Sequence, residues 1–489
     1  MTDQALKSKA TKGMVWNAFN TLVVQGVNIL IGIFLARILM PSDYGLIGML
    51  AIFIAISQLF IESGFSTALI QKNDCSDIDY STVLYFNFAV AVTFYIVLFF
   101  ATPLVAQFYH APVLINLTRV LSLSLIINSL SIAQQARLYI KLDFRACAVI
   151  SLLSVIISGS IAIFMAYKGF GVWVLVIQTL SYSLVKTFFL LYFGRWVPQL
   201  VFSVTSFKQL FGFSFKLLGG GLVSTIMTNI YSILIGRNYT ARDLGFYTTA
   251  QKYSELLACT IVSILHGGTF PILASVQSEK ERMIVIYERL MSMTVFFIMP
   301  IMALLALLAK PFIHVFLTDK WIPCVPLLQW LCLCRIITTV SFLNMNVVNV
   351  VGRSDLYLKV EVLKSPIIFL GLVLTIPLGL KAVVIGYFVV ALICFFVNAY
   401  YPGKLFGYGA IKQIKEMRRV ICAVLIMSLS IFGMLTILST DFIKLAICIP
   451  IGIAIYLVSS YLFKIKETNE VFNMIRLIIL KIKEIRYQE

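Results

Sequence analysis

Apolar stretches of roughly twenty to thirty residues follow one another along almost the whole chain, parted by short polar breaks. They are continuous and rich in Leu, Ile, Phe and Val. The period-2 alternation of a membrane β-strand is missing, which excludes a barrel. A bilayer core of about 30 Å needs roughly 20 apolar residues per helix, and lipid offers no partner to an open backbone group. Each run therefore predicts a membrane-spanning helix. Six fall in the first part of the chain: Met14 to Leu39, Tyr44 to Ile70, Tyr80 to Pro103, Val113 to Ala136, Cys147 to Tyr167 and Gly171 to Phe193. A polar linker from Gly194 to Ser206 separates them from Phe207 to Gly236, Leu244 to Ala274, Ile284 to Ala309, Val325 to Val351, Leu356 to Leu378 and Ala382 to Tyr401. Beyond a basic segment, Val420 to Leu438 and Ile443 to Phe463 complete an all-α polytopic membrane protein of about fourteen spans. No connection is long enough to fold as a domain, so function must reside in the membrane body.

Composition agrees: 60% of the 489 residues are hydrophobic and 12% charged. A soluble protein of this size needs more charge to cover its surface. The net charge of +18 would suggest nucleic acid in a soluble chain. The placement of the charges gives another reason. With the N-terminus inside, cytoplasmic loops and the adjoining span ends hold 27 of the 39 Lys and Arg, the opposite side 9, and three lie deep in spans. That is the positive-inside bias of a membrane protein with both termini cytoplasmic, and nucleic acid is not required. Lys7, Lys9 and Lys12 precede a first stretch longer than a signal-peptide core, which reads as a retained span. Near the C-terminus Val471, Phe472, Ile475, Ile478, Ile479 and Ile482 share one helical face, with Lys481, Lys483 and Arg486 toward the other, as in a helix lying on the membrane surface. The nine cysteines and three histidines show no metal-ligand spacing, and Cys332 and Cys334 read as buried thiols. No cofactor or metal is expected.

An internal repeat organises the chain. Arg37, Asp43 and Gly45 follow the first span; Arg237, Asp243 and Gly245 follow the seventh, each offset by 200. Arg119 and Arg137, 18 apart, are matched by Arg335 and Arg353 at an offset of 216. Two six-helix bundles related by a pseudo-two-fold axis along the membrane normal are expected, over residues 1–200 and 201–403, followed by two extra helices and a basic tail over 404–489. A substrate site would lie between the halves.

Charges inside the membrane are the candidate site. Arg or Lys at a helix centre costs about 2.5–3.5 kcal/mol, so such residues normally face a wet cavity or a partner. Arg119, Lys186 and Arg335 lie deep; Lys216, Lys252, Glu62 and Glu255 lie nearer span ends. Five basic against two acidic side chains suit an anionic cargo such as a pyrophosphate, gripped by Arg forks and Lys point charges. Structural alternatives stand beside each. Lys252 and Glu255 are three apart and could pair; Lys216 could snorkel; Glu62 could brace the second span; Arg119 and Arg335 could pin their bundles. Glu62 and Glu255 are the acidic candidates for a coupling ion. Gly219, Gly220, Gly221 and Pro271 are candidate hinges, with close helix packing the alternative for the glycines.

Leu35-Ala-Arg-Ile-Leu-Met-Pro-Ser-Asp-Tyr-Gly45, Glu62-Ser-Gly-Phe-Ser-Thr-Ala-Leu-Ile-Gln71, Phe170-Gly-Val-Trp173 and Arg195-Trp-Val-Pro198 resemble signatures of bacterial polysaccharide exporters. The chain resembles, over nearly its whole length, an O-antigen or exopolysaccharide flippase of the multidrug/oligosaccharidyl-lipid/polysaccharide exporter superfamily. The resemblance implies a V-shaped pair of bundles of the MATE type in a bacterial cytoplasmic membrane. It also implies alternating access, an undecaprenyl pyrophosphate type of lipid-linked oligosaccharide as cargo, surrounding membrane lipid, and functional association with a polysaccharide polymerase. It implies no covalent chemistry. A multidrug/cation antiporter of the same superfamily would need an acidic cavity, whereas the intramembrane excess here is basic. A membrane polymerase would need a loop domain or clustered carboxylates, and the outer loops are short.

Overall fold

The computed structural model of the chain describes residues 22–62, 69, 76–140, 143–194, 196–275 and 279–471. The segment with Lys7, Lys9 and Lys12, most of the Glu62–Gln71 signature and the tail face beyond Val471 lie outside the described residues. The chain is built of helices: α1 Leu22–Ile38, α2 Pro41–Glu62, α3 Asp77–Phe108, α4 Leu114–Leu121, α5 Leu123–Ile140, α6 Phe144–Tyr167, α7 Trp173–Gly194, α8 Val204–Asn238, α9 Ala241–Ser275, α10 Lys280–Leu307, α11 Cys324–Val350, α12 Ser354–Thr375, α13 Leu380–Phe406, α14 Ala410–Ile437 and α15 Asp441–Leu462. Among the described residues no strand occurs. Among the described residues eleven stretches are long and apolar enough to cross a membrane, where about fourteen were expected of the whole chain; Leu22–Ile38 is a shorter apolar helix, and α8 and α9 stand outside the eleven.

Two compact units divide the chain, residues Met1–Thr249 and Ala250–Glu489. In the first, α6 packs on α7, α5 on α7 and α3, and α2 on α8. The expected span Val113 to Ala136 is broken here. Helix α4 stops at Leu121 and α5 starts at Leu123. Hydroxyls line the break: Ser124 Oγ donates to Leu121 O at 2.6 Å, and Ser122 Oγ adds a second bond, at 2.7 Å, to the Thr118 carbonyl that Ser122 N already holds. Serine thus lets a helix bend in lipid without exposing backbone.

The linker after α7 is fastened to the bundle. The Trp196 carbonyl accepts from Gln134 Nε2 at 2.9 Å, and its ring stands edge-on to Tyr80 with centroids 6.0 Å apart. The backbone N–H groups of Gln199 and Ser203 donate to Ser81 Oγ (3.0 Å) and Thr82 Oγ1 (3.1 Å) on the first turns of α3.

The Asp of the repeated motif has a local explanation. Asp43 sits at the third position of α2 and its Oδ2 accepts from Met40 N at 2.9 Å. Asp243 holds the same position in α9, accepting from Thr240 N (3.3 Å) and Thr240 Oγ1 (2.6 Å). Each carboxylate satisfies donors that a helix start leaves free. The Phe170–Trp173 signature forms the α6–α7 turn, where Gly169 and Gly171 take φ of 79° and 55°, angles that disfavour a Cβ.

The arginine half of the repeat does not hold. Counted from Leu114 and Cys324, Arg119 is the sixth residue of its helix and Arg335 the twelfth. Six residues at 1.5 Å each put Arg335 about 9 Å further along. Arg137 lies within α5, whereas Arg353 lies past α11 as the N-cap of α12. The shared spacing of 18 therefore does not mark equivalent places.

In the second unit the final helix pair is bolted to the bundle by a buried polar cluster. The Tyr287 hydroxyl (α10) bonds Asn344 Oδ1 (α11), and Gln413 Nε2 (α14) donates to Asn344 Oδ1 at 2.8 Å and to Tyr408 O at 2.9 Å. Asn344 Nδ2 returns a bond to Gln413 Oε1 at 3.2 Å. All three side chains are buried. Tyr456 on α15 adds a bond to Phe296 O at 2.7 Å. Asn344→Ala would leave the Gln413 carboxamide and the Tyr287 hydroxyl short of partners, at about 1–3 kcal/mol each. A fall in the thermal midpoint in detergent by several degrees is expected, larger than for a Ser430→Ala control, which removes only a hydroxyl bonded within its own helix.

Candidate functional site

The candidate intramembrane charges do not gather into one site. In the first unit, Lys186 stands mid-way along α7, half-buried, with Glu62 and Cys147 close enough to act on it electrostatically. Glu62 ends α2, is exposed, and accepts from Gln58 Nε2 at 2.9 Å. Arg119 is separate from both. Its guanidinium lies over the Phe99 ring, 4.3 Å from the centroid, and its buried Nε has no partner among the described residues. A desolvated cation–π contact of this kind is worth about 2 kcal/mol, enough to hold the side chain against α3.

In the second unit Arg335 on α11 and Glu255 on α9 form an ion pair, Nη2 to Oε2 3.0 Å, with Arg335 17% and Glu255 42% exposed. Tyr387 on α13 and Cys259 on α9 lie within reach of the same charges. The alternative of a Lys252–Glu255 pair is thereby overturned. Both residues share a helix, but Glu255 turns its carboxylate to α11, where a guanidinium offers charge and directional donors together. Lys252 is left accessible in α9 and in no ion pair among the described residues. Glu255, a candidate coupling-ion ligand, is occupied by Arg335.

Lys216 lies on α8, and the surroundings of its side chain lie outside the described residues, as do those of Gly220 and Pro271. The expected interruptions do not break these helices: α8 runs through Gly219, Gly220 and Gly221, and α9 through Pro271. A methyl on Gly221 would meet Leu59 Cδ1 of α2 at 2.8 Å, so this glycine allows α2 to close on α8; among the described residues nothing lies within 4 Å of a methyl on Gly219.

Two features escaped the sequence reading. Glu361 and Lys364 pair at 2.6 Å within α12, 17% and 11% exposed. Opposite charges at i and i+3 inside a predicted span are the signal that could have shown them. Asn87 of α3 is fully buried, with neither amide atom partnered among the described residues. The second unit also holds an apolar cavity of about 460 Å³ lined by Leu257, Phe297, Pro300, Leu304, Ile449 and Tyr456, among others. Its lining suits a hydrocarbon chain and no polar ligand. Among the described residues no three His, Cys, Asp or Glu side chains converge on a metal-sized site, and Cys332 and Cys334 are buried free thiols.

These features can be set beside known proteins. The family described as "Polysaccharide biosynthesis protein" matches residues 34–326, well over half of the chain. The chain is 26% identical over 360 residues to the teichuronic acid biosynthesis protein TuaB of Bacillus subtilis, covering 72% of this chain and 73% of TuaB. It is 27% identical over 341 residues to the succinoglycan biosynthesis transport protein ExoT of Rhizobium meliloti, covering 69% of each. Among solved structures, the lipid II flippase MurJ in an inward closed conformation superposes with a TM-score of 0.71 at 15% identity, over 94% of this chain and 98% of MurJ. At that identity the match shows a shared fold.

Proposed function

The chain belongs to the polysaccharide biosynthesis protein family, and from that premise we propose that it is a flippase for a lipid-linked oligosaccharide. It would carry the head group from the inner to the outer leaflet of a bacterial cytoplasmic membrane by alternating access, with both termini inside. Lys252 is the observation that carries this reading. An ammonium in a membrane-embedded helix, whose nearest carboxylate in sequence is engaged elsewhere, calls for an anion from outside the protein. A pyrophosphate supplies it. Lys186 offers a second cation in the first unit, and the apolar cavity fits the hydrocarbon part of such a cargo. A carrier of the undecaprenyl type and functional association with a polysaccharide polymerase belong to the same proposal. So does transport without covalent chemistry.

A multidrug antiporter is less well supported. Cationic drugs need an uncompensated acid within the membrane; Glu255 is paired with Arg335, and Glu62 is exposed at the end of α2, bonded to Gln58. Reconstitution decides the matter. Proteoliposomes holding the protein should move a radiolabelled polyprenyl pyrophosphate oligosaccharide across the bilayer under an imposed ion gradient. Correctly folded protein that moves none, yet exports a cationic dye, would reverse the assignment.

A further inference from the structure

The glycines of the repeated motif meet each other. A methyl on Gly45 would fall 2.6 Å from the Ala241 carbonyl carbon, closer still to its oxygen, and 3.0 Å from Gly245 N. A methyl on Gly245 would fall 2.6 Å from the Pro41 carbonyl carbon and 3.2 Å from Gly45 N. The offset of 200 thus reappears as reciprocal contact: Gly45 on Ala241, Gly245 on Pro41. Reciprocity of this sort is the mark of a two-fold crossing, here between the first turns of α2 and α9, both within the first unit. Only glycine allows two backbones this close.

Neighbouring contacts extend the crossing into a seal. A methyl on Gly48 would sit 2.8 Å from Thr248 Cγ2. One on Gly236 would touch Tyr109 Cε1 at 3.0 Å, Leu244 Cδ2 at 3.1 Å and Met49 Cγ at 3.3 Å. Tyr109, Leu244 and Met49 are all buried. The starts of α2 and α9 and the ends of α3 and α8 therefore close on one another at one face.

We propose that this glycine crossing is the releasable outer seal of the transport cycle, shut in this structure and parted when cargo leaves toward the outer leaflet. The inference rests on the orientation with the N-terminus inside. The contacts between the paired glycines are backbone and aliphatic; at the rim, where α8 meets the end of α3, Arg237 Nη1 donates to the Phe108 carbonyl and lies 3.0 Å from His110 Nδ1. The N–H groups just ahead of the two helices, Met40 N and Thr240 N, are already bonded to Asp43 and Asp243 of their own helix. Separation strips neither cap; its cost is lost packing, with the exposed Arg237 free to exchange Phe108 and His110 for water.

Two experiments test the seal. In the first, Gly48→Cys with Thr248→Cys places two thiols within disulfide reach. Oxidised protein should cross-link and transport at least tenfold more slowly than either single variant, and dithiothreitol should restore the rate. Normal transport with the cross-link intact would overturn the proposal and make the crossing static packing. The second reads the seal with no substrate, so it stands even if the cargo is misassigned. A thiol introduced by Thr248→Cys should be protected from membrane-impermeant maleimide added outside, and should become reactive when Gly45→Ala wedges the crossing. Equal protection in both backgrounds would overturn the role of the glycine. Reaction only from the cytoplasmic side would overturn the outward assignment.

Discussion

Lys252→Gln is expected to raise the thermal stability of the protein and to abolish transport. An accessible but membrane-embedded ammonium with no carboxylate partner costs folding free energy, about 2.5–3.5 kcal/mol at a helix centre and less toward an end. Lys252 is the twelfth of the 35 residues of α9, some 17 Å from its start at 1.5 Å per residue and short of the centre of the predicted span, so part of that cost applies. Glutamine keeps the length of the stem and removes the charge. The midpoint of thermal unfolding in detergent should rise by a few degrees, while transport of the labelled pyrophosphate cargo falls at least tenfold, the loss of one charge-assisted contact of about 1.4 kcal/mol or more. Stability gained with function lost is the expected trade at a site kept for ligand binding. Full transport by Lys252→Gln would remove the central support for an anionic cargo.

The second large effect concerns Arg335 and Glu255. Removing one partner of a buried ion pair costs about 3–5 kcal/mol, and less here because Glu255 is 42% exposed. Arg335→Ala and Glu255→Ala should each lower both stability and transport. The informative variant is the double reversal, Arg335→Glu with Glu255→Arg. The structure places Arg335 as a pin joining α11 to α9, so the reversal should recover the thermal midpoint and at least half of the transport rate. If stability returns while transport stays below a tenth, Arg335 grips cargo directly and the pin is a secondary role.

Much of this was legible from residue order alone. Helical class follows from continuous apolar runs, because lipid cannot satisfy an open backbone. Most span positions follow for the same reason: the predicted span Ala382 to Tyr401 lies within α13, Leu380–Phe406. Asp43 and Asp243 were visible as a repeat, and capping explains why an acidic residue recurs at the third helical position. The arginine repeat was misleading, since equal spacing along the chain carries no information about where a helix begins: Arg119 is the sixth residue from its helix start and Arg335 the twelfth. Gly45 and Gly245 were visible as letters, but that they touch could not be read from either segment.

By itself, then, residue order determined an all-helical membrane protein, the sidedness of its basic loops as an expectation, and the set of charges that lipid makes costly. Those properties arise from local composition and the solvent, with no need to know what packs on what. Tertiary structure alone decided how the charges are spent. Glu255 could have paired with Lys252 on its own helix and instead pairs with Arg335, 80 residues away. Arg119 rests on Phe99 rather than on an acid. A partner is chosen by distance and direction once helices pack, and an ion pair or ring contact between helices costs its residues no particular spacing in the chain. The helical fold and the family therefore came from the pattern of the sequence, whereas the pairing of Glu255 with Arg335, which leaves Lys252 in no ion pair among the described residues, came from the packing.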